Sequence, residues 1–167
     1  MMFKKNKPVS SDGPILRVAL PEDVLAISKL WQKFMDHSAR FDESFMVKEK
    51  IVGRFARELQ NRIDDPNYHL AVVELDGDLI GYSLSYISKK PYFFRLGKFG
   101  LIGDLFVEEK FRRNGYGRML VDDAIAFFAR KRVEQVELLV ASGNENTIKF
   151  WEQMGYKTLL QWMYKKL

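Results

Sequence analysis

Leu101-Ile102-Gly103-Asp104-Leu105-Phe106-Val107, then the charged connector Glu108 to Arg113, then Asn114-Gly115-Tyr116-Gly117 form the stretch on which the fold turns. Its first part is an apolar run that suits a buried strand, and its last part opens a long amphipathic helix. Leu120, Ala124, Phe127 and Phe128 recur at helical spacing behind Tyr116. A strand, a basic loop and a helix start make an anion site. The first N–H groups of a helix have no internal partner, and the helix dipole favours negative charge there. Gly115 and Gly117 carry no side chains, so backbone can approach a phosphate closely. Arg112, Arg113 and Arg118 add charge at the same mouth. Two common phosphate loops do not fit. A nucleotide P-loop needs Lys-Ser/Thr after its glycines, and Gly117 is followed by Arg118 and Met119. A dinucleotide fingerprint needs a third glycine where Leu120 stands.

Outward from this stretch, the chain alternates strand and helix signals. Ile15 to Ala19 reads as a strand, and Pro21 with Glu22 and Asp23 opens a helix whose stripe is Val24, Ile27, Leu30, Trp31 and Phe34. A second helix is expected over Val47 to Ile63, stopped by Asp64-Asp65-Pro66. Tyr68 to Leu75 and Leu79 to Ser88 flank Asp76-Gly77, a hairpin signal. Strands are expected over Phe99 to Val107, Gln135 to Ala141 and Tyr156 to Tyr164, and a short helix over Asn146 to Met154, ended by Gly155. Residues 1–13 read as a polar, flexible tail and residues 14–167 as a single domain. No internal repeat divides the chain.

Composition narrows the function. Of 167 residues, 47% are apolar and 29% charged, the balance of a globular protein rather than a disordered chain. Apolar runs such as Ala124 to Ala129 are far too short to cross a bilayer, and no secretory signal is visible, so no membrane association and a cytoplasmic location are expected. The absence of cysteine excludes disulfides, thiolate metal sites and cysteine nucleophiles, and with only two histidines, His37 and His69, no metal is expected. The net charge of +5 permits a phosphate-rich ligand, and no RNA-binding motif accompanies it, so nucleic acid is not the expected partner.

The pattern Arg-x-x-Gly-x-Gly at Arg112 to Gly117, preceded by Asp104-Leu105-Phe106-Val107, resembles the acyl-CoA pyrophosphate loop of the GNAT acetyltransferase superfamily. Two further stretches extend the resemblance. Arg17-x-Ala19-x-x-x-Asp23-x-x-x-Ile27 resembles the family's first strand and helix. Asn144 to Tyr156 resembles its C-terminal Asn-x-x-Ala-x-x-Phe-Tyr-x-x-x-Gly-Phe. The resemblance implies an α/β fold with a mixed, twisted central β-sheet flanked by helices on both faces. It implies acetyl-CoA as co-substrate, bound where two parallel strands splay. The backbone of Leu105, Phe106 and Val107 would take the pantetheine arm, and Arg112, Arg113, Asn114, Gly115, Tyr116, Gly117 and Arg118 the pyrophosphate. Asn144 would contact the arm across the cleft, and Trp151 is grouped with the cofactor-binding residues. The activity implied is acetyl transfer to a primary amine of a small molecule or peptide. A degenerate acyl-CoA-binding regulatory protein of the same fold is the alternative, and a homodimer is an expectation by analogy.

The chain departs from the family at two catalytic places. The usual Tyr acid is replaced by Trp151, whose indole N–H is not a usable acid. The Glu that some members carry before the strand Asp is Gly103. Asp104 is then a candidate base, with a structural carboxylate as the other reading; a β-bulge would be needed for Gly103 and Asp104 to share a face. Tyr156, Tyr82 and Tyr86 are candidate hydroxyls, Tyr156 either an acid or a core tyrosine. His37 is a second candidate base. For the acceptor, His37 to Ser44 and Lys89 to Lys98 are expected to line a mouth. Asp42 and Glu43 either attract a cationic amine or cap a helix, and Tyr92, Phe93 and Phe94 either contact the amine or pack.

Overall fold

The computed structural model describes residues 13–167, so the expected tail lies outside the described residues except for Gly13. Its frame is a five-stranded sheet in the order β1-β2-β3-β4-β5. The strands are β1 (Ile15–Val18), β2 (Tyr68–Leu75), β3 (Asp78–Lys89), β4 (Lys98–Val107) and β5 (Val136–Leu138). The first three pairings are antiparallel and β4 pairs β5 in parallel, so the sheet is mixed. The β2–β3 turn is Asp76-Gly77, both at positive φ (54° and 81°), the primed-turn geometry that the Asp-Gly pair favours.

The helices are α1 (Val24–Ser38), α2 (Val52–Gln60), α3 (Tyr116–Arg130) and α4 (Glu145–Gln153). They take the two faces of the sheet. On one, Val24, Ile27 and Leu30 of α1 and Leu59 of α2 pack with Leu70, Val72, Tyr82, Leu84 and Phe106. On the other, Leu120, Val121, Ala124, Phe127 and Phe128 of α3 are buried against Ala71, Val73, Ile80, Ile102 and Val107. The Arg17…Asp23 spacing is structural: the guanidinium forks to Asp23 (2.6 Å) and Glu74 (2.8 Å), tying β1 to the start of α1 and to β2. Arg17 also holds the Asp23 carboxyl below its ordinary range.

Three expected elements change. The second helix begins at Val52, not Val47, because Lys50 sits at φ 59°, a left-handed conformation that a helix cannot pass through. The fifth strand is only Val136–Leu138. β4 leaves β5 beyond Ile102, so the residues after Leu138 have no partner strand. The last strand, expected over Tyr156 to Tyr164, is not formed. Leu159, Leu160, Trp162 and Met163 are exposed, and the segment runs to the loop after α1, where Tyr164 bonds Asp42 (2.9 Å) and Lys166 meets Glu43. A β5 of three residues offers that segment little edge to extend.

Candidate active site

β4 is paired to β3 along its whole length but to β5 only from Gly100 to Ile102. The register with β3 slips between Leu84 and Ser85, whose partners are Asp104 and Ile102, so Gly103 is the extra residue of a β-bulge. This is the bulge that the alternation argument required. Beyond it, the β5-facing backbone of Leu105, Phe106 and Val107 has no partner strand. A wedge therefore opens between the two parallel strands, and its wide end points at the basic loop.

That loop is held from within. Arg112 Nε donates to the carbonyl of Val107 (2.9 Å), and its guanidinium lies over the Phe106 ring (5.7 Å). Arg112 thus braces the loop rather than presenting charge. Asn114 Nδ2 donates to the carbonyls of Phe111 (3.1 Å) and Arg112 (3.2 Å). Arg113 (φ 67°) and Gly115 (φ 85°) both take left-handed backbone, the alternation that turns successive N–H groups inward into an anion nest. The first helical bond is Met119 N–H to Gly115 O. The N–H groups of Tyr116, Gly117 and Arg118 therefore have no helical partner. Nothing lies within 4 Å of where a Cβ on Gly115 would sit, while a Cβ on Gly117 would meet the Phe150 ring of α4 at 3.6 Å. Free amides, an open glycine and a dipole suit a pyrophosphate, so these residues fit acetyl-CoA.

The other cofactor candidates are placed differently. Asn144 is the N-cap of α4, and its side chain accepts from Thr147 N–H (3.2 Å). Trp151 is buried in the α3–α4 cluster, edge-on to Phe150 and to Tyr156 (centroids 5.0 Å apart). Tyr156 carries a buried hydroxyl with no partner among the described residues, and burial pushes it up to about 12.

Asp104 lies on the α1–α2 side of the wedge. Burial pushes its carboxyl up to about 6, and the Tyr82 hydroxyl, which donates to it at 3.1 Å, opposes that rise. Tyr82 is fully buried and held protonated by burial and by the Asp104 charge. A Cβ on Gly103 would meet the edge of Tyr86 at 3.0 Å, so Gly103 keeps space open beside that ring. Burial thus brings the Asp104 carboxyl, on the α1–α2 face just past the bulge, towards the range in which a carboxylate can exchange a proton near neutrality. His37 is kept neutral by burial and by Arg112 and Arg40, and its ring stands edge-on to Phe41.

The expected acceptor mouth is not assembled as such. Asp42 accepts from Ser44 N–H (2.8 Å) and from Tyr164, and Glu43 is engaged by Lys166. Tyr92, Phe93 and Phe94 point into solvent at 98%, 68% and 53% exposure. A cleft of about 450 Å³ lies on the outer side of α1, among Gln32, Met35, Asp36, Phe45 and Met46, and Asp104 does not line it. Sequence inspection missed Tyr68 and Arg62, which continue the surface past Tyr86. The cross-strand pairing of Tyr68 with Tyr86 follows from the register that the hairpin fixes, and was a signal within reach. Among the described residues, no cluster of carboxylates and histidines could hold a metal ion. No described helix is long and apolar enough to cross a membrane.

Known proteins carry the same arrangement. The acetyltransferase (GNAT) family model matches residues 29–156. An L-ornithine N5-acetyltransferase of Arabidopsis thaliana is 28% identical over 107 residues, 63% of this chain and 46% of that protein. An uncharacterized N-acetyltransferase of Methanocaldococcus jannaschii is 26% identical over 123 residues, 70% of this chain and 50% of that protein. The chain spans about half the length of the curated relatives it matches. Among solved structures, a predicted acetyltransferase with acetyl-CoA from Clostridium acetobutylicum superposes at a TM-score of 0.74 with 15% identity, covering 92% of this chain and 96% of that one. With its model matching over three quarters of the chain, the chain belongs to the GNAT family of acetyltransferases.

Proposed function

We propose that the protein is an acetyl-CoA-dependent N-acetyltransferase that moves the acetyl group directly to a primary amine of a small molecule or peptide. The observation that carries this reading is the β4 edge left unpaired by β5 from Leu105 to Val107, followed by the free amides of Tyr116 to Arg118. The loop amides would hold the pyrophosphate and the unpaired edge of Leu105 to Val107 the pantetheine arm. Acetyl-CoA supplies an activated acyl carbonyl, and the chain's residues position and deprotonate its attacker. The acceptor's ammonium gives a proton to the Asp104 carboxylate. Its nitrogen pair then forms the C–N bond, the C–S bond breaks, the sulfur keeps the electron pair as thiolate, and the second excess proton leaves the nitrogen to water as the amide forms. The Tyr156 hydroxyl, protonated throughout the neutral range, is the candidate donor to that sulfur. The likeness to an ornithine acetyltransferase supports a small amine over a peptide.

The test is amine-dependent release of free CoA thiol from acetyl-CoA, measured against pH. Turnover should rise as pH passes about 6, where Asp104 ionises, and then hold a plateau, because no acid with an ordinary pKa is lost above it. Acetyl-CoA binding without release of thiol by any amine would favour the regulatory alternative. Gly117→Asp should weaken acetyl-CoA binding on the order of tenfold or more, since it sets a negative charge on the first turn of the helix whose free amides would meet phosphate. Unchanged affinity by calorimetry in a folded variant would remove the pyrophosphate assignment.

A further inference from the structure

Beyond Asp104 the α1–α2 face of the sheet continues as an aromatic wall that ends in a cation. Tyr86 of β3 and Tyr68 of β2 are directly opposite each other in the ladder, and their rings stack with centroids 5.2 Å apart and 26° between planes. The Arg62 guanidinium, in the turn after α2, lies over the Tyr68 ring at 5.3 Å. Both rings and Arg62 are half-buried, so the wall has a wetted side. Among the described residues, no carboxylate lies within ion-pair distance of Arg62 and no hydrogen-bond acceptor engages its side chain. Its sequence neighbour Asp65 is instead occupied with Asn67 (2.8 Å). Burial raises the Tyr86 pKa, the Tyr68 and Asp104 charges add to that rise, and Arg62 opposes it. At the Asp104 end, Gly103 leaves the edge of Tyr86 uncovered.

The surface is thus bipolar. A carboxylate at one end attracts an ammonium. A guanidinium whose N–H donors lack a protein acceptor attracts an anion at the other. Between them, the edges of the two stacked rings give an apolar rim along which a methylene chain can lie. From this arrangement we infer that Arg62, Tyr68 and Tyr86 form the acceptor subsite, and that the acceptor carries a carboxylate separated by a methylene chain from the amine that is acetylated. This rests on the acetyltransferase reading and adds the substrate's second charge to it. Arg62 touches the substrate far from the reacting atoms, so it sets specificity and orientation rather than chemistry.

The experiment uses acceptor pairs that differ only by a carboxylate: ε-aminocaproate against pentylamine, and lysine against cadaverine. Steady-state kinetics with acetyl-CoA are measured for the wild type, Arg62→Lys and Arg62→Gln, with thermal melting to confirm folding. In the wild type kcat/KM should favour the carboxylate member of each pair by on the order of tenfold, the range of a charge-assisted hydrogen bond. The preference should be carried mainly by KM. It should collapse towards one in Arg62→Gln and survive in part in Arg62→Lys. A wild type that prefers the decarboxylated member, or an Arg62→Gln variant that keeps the preference, overturns the subsite. If no amine releases thiol, the acetyltransferase reading falls separately. Binding of ε-aminocaproate by calorimetry then decides the subsite: saturable binding lost in Arg62→Gln supports it, and binding absent or indifferent to the substitution overturns it.

Discussion

The two faces of this one sheet are built from different materials. The face under α3 sets the small residues Ala71, Gly81, Ser83 and Ser85 among the aliphatic side chains Val73, Ile80, Ile102 and Val107. Gly100 lets the Phe128 ring rest directly on backbone, since a Cβ there would come within 2.6 Å of it. The polar pair on that face, His69 Nε2 with Asp123 at 2.5 Å, is stacked on Phe127 and joins β2 to α3. The face under α1 and α2 has large rings and a titrating carboxylate: Tyr82, Tyr86, Tyr68 and Asp104. One face is apolar apart from its buried hydroxyls and the His69–Asp123 pair, and the other carries a carboxyl whose ionisation costs stability. The bulge at Gly103 separates the two regimes within a single strand, because it turns Asp104 to the α1–α2 side while Ile102 stays under α3.

The largest effect that would break this contrast is in Asp104→Asn. Loss of a positioned base should lower turnover roughly 10²–10⁴-fold. The same change should stabilise the fold at pH 8. A carboxyl raised to about 6 binds its proton more tightly folded than unfolded, so ionisation costs stability as pH climbs from about 4 to 6 and the full cost stands above 6. Asn has no such cost, and Tyr82 can still donate to its carbonyl. The gain at pH 8 should be on the order of 2 kcal/mol and should vanish towards pH 4, as read by denaturant melts at both pH values. A variant less stable at pH 8, with activity kept, would make Asp104 a structural carboxylate.

Gly100→Ala probes the opposite face. The added methyl meets a buried ring near its root, with Phe128 Cγ at 2.8 Å, and the ring has no solvent side into which it can swing. Destabilisation of about 1–3 kcal/mol is expected, with little change in the pH profile of the remaining activity. A pH profile that moves with this substitution would mean that the two faces are coupled through β4.

How much of this was legible beforehand follows the same division. The α3 stripe, the Asp-Gly hairpin and the helix-opening glycine loop declare themselves through local periodicity and turn chemistry, so Leu120, Ala124, Phe127 and Phe128 fall where the spacing puts them. Arg17 and Asp23 stand close enough in sequence to be matched as a motif, although the third partner, Glu74, is 57 residues away from Arg17. The shortened β5 and the unformed last strand were not legible, because a strand exists only if a neighbour offers an edge, and β4 withdraws that edge at Gly103. The acceptor side fails for a related reason. Asp42 and Glu43 have the composition of a cation site, but their partners, Tyr164 and Lys166, come from the far end of the chain. The Asp104–Tyr82 contact depends on the register slip, which alternation alone leaves open in either sense.

A smaller effect sharpens the role of Tyr82. Its hydroxyl donates to Asp104 and pulls the carboxyl pKa down against burial. Tyr82→Phe removes that donor and keeps the ring, so the midpoint of the pH–turnover curve should move upward, towards neutrality, by about a unit or less. Burial is the first-ranked influence and remains. Turnover on the plateau should change less than the midpoint does, because Tyr82 positions the base and does not exchange the proton itself. An unmoved midpoint with a lowered plateau would mean that Tyr82 acts on the reacting atoms directly, and that Asp104 owes its ionisation to another donor.

The smallest expected effect belongs to the packing face. Ser83 Oγ is fully buried under α3 and has no hydrogen-bond partner among the described residues. A buried hydroxyl without a partner loses its water contacts and gains nothing in return. Against this, the oxygen fills volume, and removing it loses contacts with its neighbours. For so small a group the polar penalty should be the larger, so Ser83→Ala should be neutral or stabilising by up to about 1 kcal/mol. Denaturant midpoints at constant m would measure it. Ser85 is the matched control: it too is buried and unpartnered, but it stands directly opposite His69 in the ladder. If Ser83→Ala stabilises while Ser85→Ala destabilises, the hydroxyl of Ser85 serves the histidine, and the α3 face holds a second polar network rather than packing alone.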